Sequence, residues 1–186
     1  MDIKFKELHI KNFMSIGDAH INLSDCGFTL IEGINNNDSD NARSNGAGKS
    51  SIFEALVWAL TGNTMRGNKD VVNYNGDDGA IVKVLFTVDK DTFLITRTKE
   101  HSKYKTNLLI EINGIDKSGK GIRDSEKLLA EYLPDLTSSL IGSVIVLGQG
   151  LPQKFSSNSP SGRKEVLERL FKSDYMIQDL KNRAAW

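Results

Sequence analysis

Asn45-Gly46-Ala47-Gly48-Lys49-Ser50-Ser51 sets two glycines, an ammonium and two hydroxyls side by side, the inventory of a loop that holds phosphate. Glycines leave backbone N–H groups bare to wrap an anionic oxygen, and a helix that starts at the lysine aims its positive end at the same point. Lys49 then reaches the terminal phosphates of a nucleotide, and the Ser50 hydroxyl falls to Mg²⁺. Strict G-x-x-x-x-G-K-S spacing asks for glycine at position 43, where the chain has Arg43. The nearest earlier glycine is Gly33, so residues 34–43 read as a polar insertion with Gly33 as the entry glycine. Closing such an insert costs on the order of 1 kcal/mol, because loop entropy grows only with the logarithm of length. A Gly-Lys-Ser that merely turns a corner explains each piece but not their order.

The loop needs a strand before it and a helix after it. Phe28-Thr29-Leu30-Ile31 is the expected strand, and Ile52, Ala55, Leu56 and Ala59 form a helical stripe that Gly62 is placed to end. Ile3, Phe5, Leu8, Ile10 and Phe13 fall close to period two with one slip, which predicts a strand over 2–13, and Ile21-Asn22-Leu23 continues the sheet. Residues 81–88, 92–97 and 106–112 are strand-like runs punctuated by Asp89-Lys90-Asp91 and Asn113-Gly114, a meandering antiparallel sheet. Helices are expected over 124–133, 136–142 and 163–171, the last continuing over 174–183, with a buried strand at 143–147 leading to Gln149. The fold class is α/β: a mixed or antiparallel sheet packed on the helix of the phosphate loop.

With 24 basic and 24 acidic residues, no global field draws this chain to nucleic acid, so any DNA contact must be a local patch. Arg97, Lys99, Lys103 and Lys105, with Tyr104 among them, can lie along a DNA backbone, as can Lys117, Lys120 and Arg123; a solvated hairpin is the plain alternative. Cys26 is alone, which excludes an internal disulfide and fits a reducing compartment, and a small buried residue is its expected role. His9, His20 and His101 lack metal-ligand spacing and read as ordinary histidines. No run of 18 apolar residues exists, so a cytoplasmic protein without a membrane partner is expected.

Four landmarks together resemble a known family: Ile10-Lys11-Asn12-Phe13-Met14-Ser15-Ile16-Gly17, the loop 45–51, Gln149 after an apolar strand, and Ser161-Gly162-Arg163-Lys164-Glu165-Val166-Leu167-Glu168 opening a helix. The chain is similar to the N-terminal ATPase lobe of the SMC-like DNA-repair ATPases, with its nearest likeness to bacterial SbcC and to the large subunit of phage recombination endonucleases. The resemblance covers essentially all 186 residues. It implies an ATPase head of ABC type, with residues 1–158 as its N-terminal lobe and 159–186 as the root of a coiled coil that leads to a C-terminal lobe. It further implies that two heads clamp ATP and Mg²⁺ between them and gate a metallophosphatase-like nuclease subunit acting on double-stranded DNA. Gln149 then touches Mg²⁺ and orients the attacking water, Asn45 contacts the terminal phosphate, and Ser51 completes the loop. Met14 stands where many relatives have an arginine, leaving Ser15 as the contact from the first strand; Arg66 is a further candidate.

The chain lacks the Asp-Glu strand end, the signature motif and the switch histidine that such an ATPase needs, so hydrolysis by it alone should be feeble. Asp89 is followed by Lys90 in place of a catalytic glutamate and reads as a turn. Two rival functions share the motifs. One is an SMC-type or gap-binding DNA clamp without a nuclease partner. The other is an ABC transporter subunit, against which the long separation of Lys49 from Gln149 argues.

Overall fold

The alternating N-terminal run becomes strand β1, Ile3–Phe13, which turns through Met14 and Ser15 into β2, Ile16–Asn22. This computed structural model describes residues 2–34, 47–65, 67, 70–134, 136, 141 and 159–170. Helix α1, Lys49–Thr61, is followed by a long meander: β3 Ala80–Val88, β4 Asp91–His101, β5 Lys105–Ile112 and β6 Ile115–Asp116. Helix α2 spans Ile122–Tyr132, and helix α3 spans Pro160–Leu170. The six strands form one sheet in the order β2-β1-β3-β4-β5-β6, and every pairing is antiparallel. Two compact units divide the chain, residues 1–134 and 135–186.

The slip in the hydrophobic period of β1 has a backbone cause. A register shift between Phe5 and Glu7 inserts one residue against β3, after which Leu8 and Ile10 return to the buried face. At the far end Asn12 turns left-handed, φ 51°, which lets the following Phe13 bury completely. Inward side chains of β1, β3, β4 and β5 build the core: Leu8, Ile10, Val82, Val84, Phe86, Ile95, Leu108 and Ile110 are each at most 1% exposed. Phe86 lies between Phe5 and Phe93, with ring centroids 5.6 and 5.4 Å away. The expected stripe of α1 is wider than one face, since every residue from Glu54 to Leu60 is buried, as in a helix covered all round. Gly62 ends it in the left-handed conformation, φ 75°, its N–H bonded to the Trp58 carbonyl.

Three expectations are corrected. Phe28–Ile31 joins no strand ladder among the described residues; Phe28 is 99% and Leu30 72% exposed. An apolar run of this kind is stable as a strand only between partners that cover both its faces, and the described residues supply none. Cys26 is exposed, with its thiol directed to the Asn22 carbonyl. Helix α3 begins at Pro160, three residues before the expected start: Ser159 caps it by accepting the Gly162 N–H at 3.1 Å, and proline fits the first helical turn. The expected elements 136–142, 143–147 and 174–183 lie wholly or largely outside the described residues.

The β4–β5 turn is fastened by one carboxylate. Asp78 accepts hydrogen bonds from the Ser102 N–H and hydroxyl, each at 2.7 Å, and from the Gly79 N–H, with His101 3.6 Å away. Beside it, a Cβ on Gly79 would stand 2.2–2.3 Å from the backbone of residues 99–101, so no side chain fits. The donors from Ser102 hold the Asp78 carboxyl at about 2, below its ordinary 3.8. A depressed acid contributes stability above the unfolded value and loses it as pH falls toward the folded one. The amides of 101–105 are therefore expected to stay protected from neutral pH to about 4 and to open between about 4 and 2. Hydrogen exchange across that range checks this, and in Asp78→Asn the pH step should vanish.

Candidate nucleotide-binding site

Helix α1 starts at Lys49, and its N-cap Gly48 adopts φ 79°, a left-handed turn suited to glycine. No acidic residue occupies its first turn and, among the described residues, no side chain caps it. The first amides and the positive end of the dipole therefore face outward without an anion from this helix. The Ser15 hydroxyl lies 2.9 Å from the Ser51 hydroxyl, and a Cβ on Gly48 would stand 3.0 Å from the same Ser15 oxygen. The β1–β2 turn and the start of α1 are thus in contact, and Phe13 against Trp58, ring centroids 5.3 Å apart, supports them from below.

A second loop is tied to the same place. Met14 N–H donates to the Val71 carbonyl at 2.7 Å, Asn73 N–H to the Asn12 carbonyl at 2.9 Å, and the buried Asn12 side chain to Asp77 and to the Asp78 carbonyl. That loop presents Tyr74, 92% exposed, two residues beyond its anchor at Val72. Composition conceals this, since residues 61–79 are rich in Asn, Asp, Gly and Thr and carry no periodic apolar pattern. Glu54 is a further surprise: buried on α1, it accepts the Met65 N–H at 2.6 Å and folds the segment after the helix back upon it.

Of the candidate nucleotide contacts, Ser15, Gly48, Lys49, Ser50 and Ser51 come together at the start of α1, with Ala47 next to them. Gly33 stands in irregular backbone. Asn45, Gly46, Arg66 and Gln149 lie outside the described residues. The inventory fits a phosphate group: an open helix N-terminus, a lysine and paired hydroxyls, with Ser50 able to hold a hard cation.

Among the candidate DNA contacts, Arg97 is corrected. Only 3% exposed, its guanidinium donates to the Ala59 carbonyl at 3.0 Å and to Glu126 at 2.8 Å, with Trp58 beneath it. It closes the C-terminal end of α1, and a phosphodiester backbone on the surface does not reach it. Lys99 is half-buried on the same side, whereas Lys103 and Lys105 are exposed at the β4–β5 turn. The histidines are less scattered than their spacing implies: register places His9 opposite His20, each ring against a carboxylate, Asp18 and Glu7. Among the described residues no three His, Cys, Asp or Glu side chains form a metal-ligand group.

A family model described as an AAA domain matches residues 7–184. The chain belongs to the AAA domain family. Curated relatives of this AAA domain protein include archaeal DNA double-strand break repair Rad50 ATPases. That of Methanococcus maripaludis is 29% identical over 89% of this chain, and that of Methanocaldococcus jannaschii 28% over 94%. That of Archaeoglobus fulgidus is 40% identical over 51%. The AAA domain chain spans 15, 16 and 10% of these relatives' lengths, in that order. The expected likeness to SMC-like repair ATPases is thereby borne out. Among solved structures, the recombination mediator RecF with ATP aligns over 64% of this chain and 29% of its own, at 21% identity and a TM-score of 0.39. No helix among the described residues is long and apolar enough to cross a membrane.

Proposed function

We propose that this chain is the ATP-binding half of a DNA-repair ATPase head that gates a partner nuclease on DNA ends by ATP-dependent dimerisation and hydrolysis. The start of α1 carries this reading: Gly48 turned left-handed, Lys49 first in the helix, no acid in the first turn, and the Ser15–Ser51 hydroxyl pair alongside. These groups bind and orient a triphosphate. Backbone amides and Lys49 hold the β- and γ-phosphates, while Ser50 and Gln149 are the proposed ligands of Mg²⁺. The metal supplies charge neutralisation on the phosphate oxygens. Tyr74, exposed on a loop anchored beside Ser15, offers an aromatic face to the base.

The remaining parts are supplied from outside this chain. Phe28, Leu30 and Ile34 expose an apolar surface directly before the loop, which the C-terminal lobe of the same ATPase is proposed to cover. A second copy of the head then closes on the nucleotide, and Lys103 and Lys105, with Lys117, Lys120 and Arg123, are the exposed basic residues proposed to approach double-stranded DNA. α3 is proposed as the root of the coiled coil, and the cytoplasm as the compartment.

Mg-ATP titration into the chain is the first test: absence of saturable binding overturns the reading. In the full-length protein, Gln149→Ala is expected to leave nucleotide affinity within about threefold while lowering turnover by about 10²-fold, the scale of a lost water-positioning group. Equal loss of both would remove Gln149 from that role. Co-purification with a metallophosphatase-like nuclease separates this function from a clamp without such a partner.

A further inference from the structure

Asn12 is a polar side chain buried near the end of β1, 5% exposed, between the fully buried Ile10 and Phe13. A buried amide is tolerated where its polar atoms are matched, and the partners of Asn12 all lie on one loop. Its carbonyl accepts the Asn73 N–H at 2.9 Å, while its Nδ2 donates to Asp77 Oδ1 at 3.3 Å and to the Asp78 carbonyl at 3.2 Å. Between those anchors Asn73-Tyr74-Asn75-Gly76 closes as a β-turn, with the Gly76 N–H on the Asn73 carbonyl at 3.0 Å and the Asn75 N–H on the Asn73 side chain at 2.9 Å. One residue therefore grips both ends of the turn that displays Tyr74. The fit is close. A Cβ on Gly76 would stand 2.8 Å from Asn12 Cγ and Oδ1 and 3.1 Å from the Asn73 carbonyl, so the turn rests on the amide with no room for a methyl group. The Met14–Val71 bond and the Phe13–Val72 bridge hold only the start of the loop. Among the described residues, Asn12 alone bonds both sides of its tip.

Asn12 is also three residues from Ser15, whose hydroxyl lies 2.9 Å from that of Ser51 at the start of α1. The same short stretch of backbone thus fixes the phosphate side of the site through Ser15 and the Tyr74 side through Asn73 and Asp77. We propose that Asn12 is a positioning residue that sets Tyr74 in register with the phosphate loop, and so makes the site selective for nucleoside triphosphates over bare polyphosphate. Stacking of a base on an aromatic face is worth about fivefold or more in affinity, and only where the ring stands at the place the base occupies. This role rests on the nucleotide reading of the start of α1, and it adds the residue on which recognition of the nucleoside depends. The left-handed φ of 51° at Asn12 suits asparagine and is equally open to glycine, which gives a clean variant.

The test is calorimetric titration of the chain with Mg-ATP and, separately, with magnesium tripolyphosphate, which carries the phosphates without a nucleoside. The unaltered chain is expected to bind ATP at least about fivefold more tightly than tripolyphosphate, the scale of one stacked base. Asn12→Gly keeps the backbone conformation and deletes the amide; it should bring the two affinities within about twofold of each other by weakening ATP alone. Gly76→Ala pushes the turn off the amide from the loop side and should do the same, which keeps the test decisive if Asn12→Gly does not fold. Because the alanine methyl collides with the Asn12 amide, Gly76→Ala should add little in a chain that already carries Asn12→Gly, a non-additivity of about fivefold or more. A residue that served stability alone would lower the melting temperature and weaken both ligands alike. Equal weakening of the two ligands, an ATP preference that survives both single variants, or an unaltered chain with no ATP preference overturns the proposal and leaves the phosphate site standing. Binding of neither ligand by the unaltered chain overturns the nucleotide reading with it.

Discussion

Lys49→Ala is expected to weaken Mg-ATP binding by at least about 100-fold. The side chain leaves the first residue of α1, where the helix end, a left-handed Gly48 and the Ser51 hydroxyl already face one point. What is lost is a charge-assisted hydrogen bond to a multiply charged ligand, about 1.5–3 kcal/mol, together with the unscreened attraction of a nearby cation. The helix dipole, equivalent to about half a charge, does not replace it. Thermal stability should change little, since Lys49 lies outside the buried segment Glu54–Leu60 of the helix. Calorimetric titration beside a melting curve checks both halves of the expectation. Wild-type affinity in a folded Lys49→Ala chain would remove the start of α1 as the phosphate site.

Phe86→Ala should do the opposite, costing stability without touching ligand contacts. Phe86 is fully buried at the centre of the sheet, tilted at 48° to Phe5 and stacked within 12° of Phe93. Truncating such a ring removes apolar burial and leaves a cavity that neighbours on rigid strands cannot fill, a loss of about 3–5 kcal/mol. Against a typical domain stability of about 5–15 kcal/mol, that takes about a fifth or more of the margin. Urea denaturation followed by fluorescence measures it. A loss under about 1 kcal/mol would mean that the aromatic row Phe5, Phe86, Phe93 is not the mechanical centre of the sheet.

The parts of this fold that could be read from residues alone are those whose signals are local. The β3–β4–β5 meander follows from alternation and from Asp89-Lys90 and Asn113-Gly114, turn pairs whose left-handed φ values at Asp89, Asn113 and Gly114 appear as their residue types suggest. Helix α1 announces both its ends, at Gly48 and Gly62. The Met14-Ser15 turn gave no such notice, because methionine rarely takes φ 48° and only tertiary contact with Val71 and Ser51 holds it there.

Charge spacing along the chain groups Arg97 with the exposed lysines of the β4–β5 turn, although its side chain is buried. The alternation Phe93, Ile95, Arg97 already places it on the buried face, opposite Val82 and Leu108 in register, and that period is the signal that finds it. Phe28–Ile31 shows the reverse difficulty, since apolar sequence states a wish for burial and says nothing of which strands provide it. The His9–His20 pairing depends on register across a turn that was itself not visible.

The link between Ser15 and Ser51 carries one more consequence. A hydroxyl has one proton to give and two lone pairs to receive, so either serine can be the donor in their contact. Ser51 can therefore turn its proton to an incoming oxygen while still accepting from Ser15, and neither oxygen is stranded in the loaded or the empty loop. Little rearrangement is then required on capture, and the ordering entropy that usually opposes it has been spent in folding the hairpin.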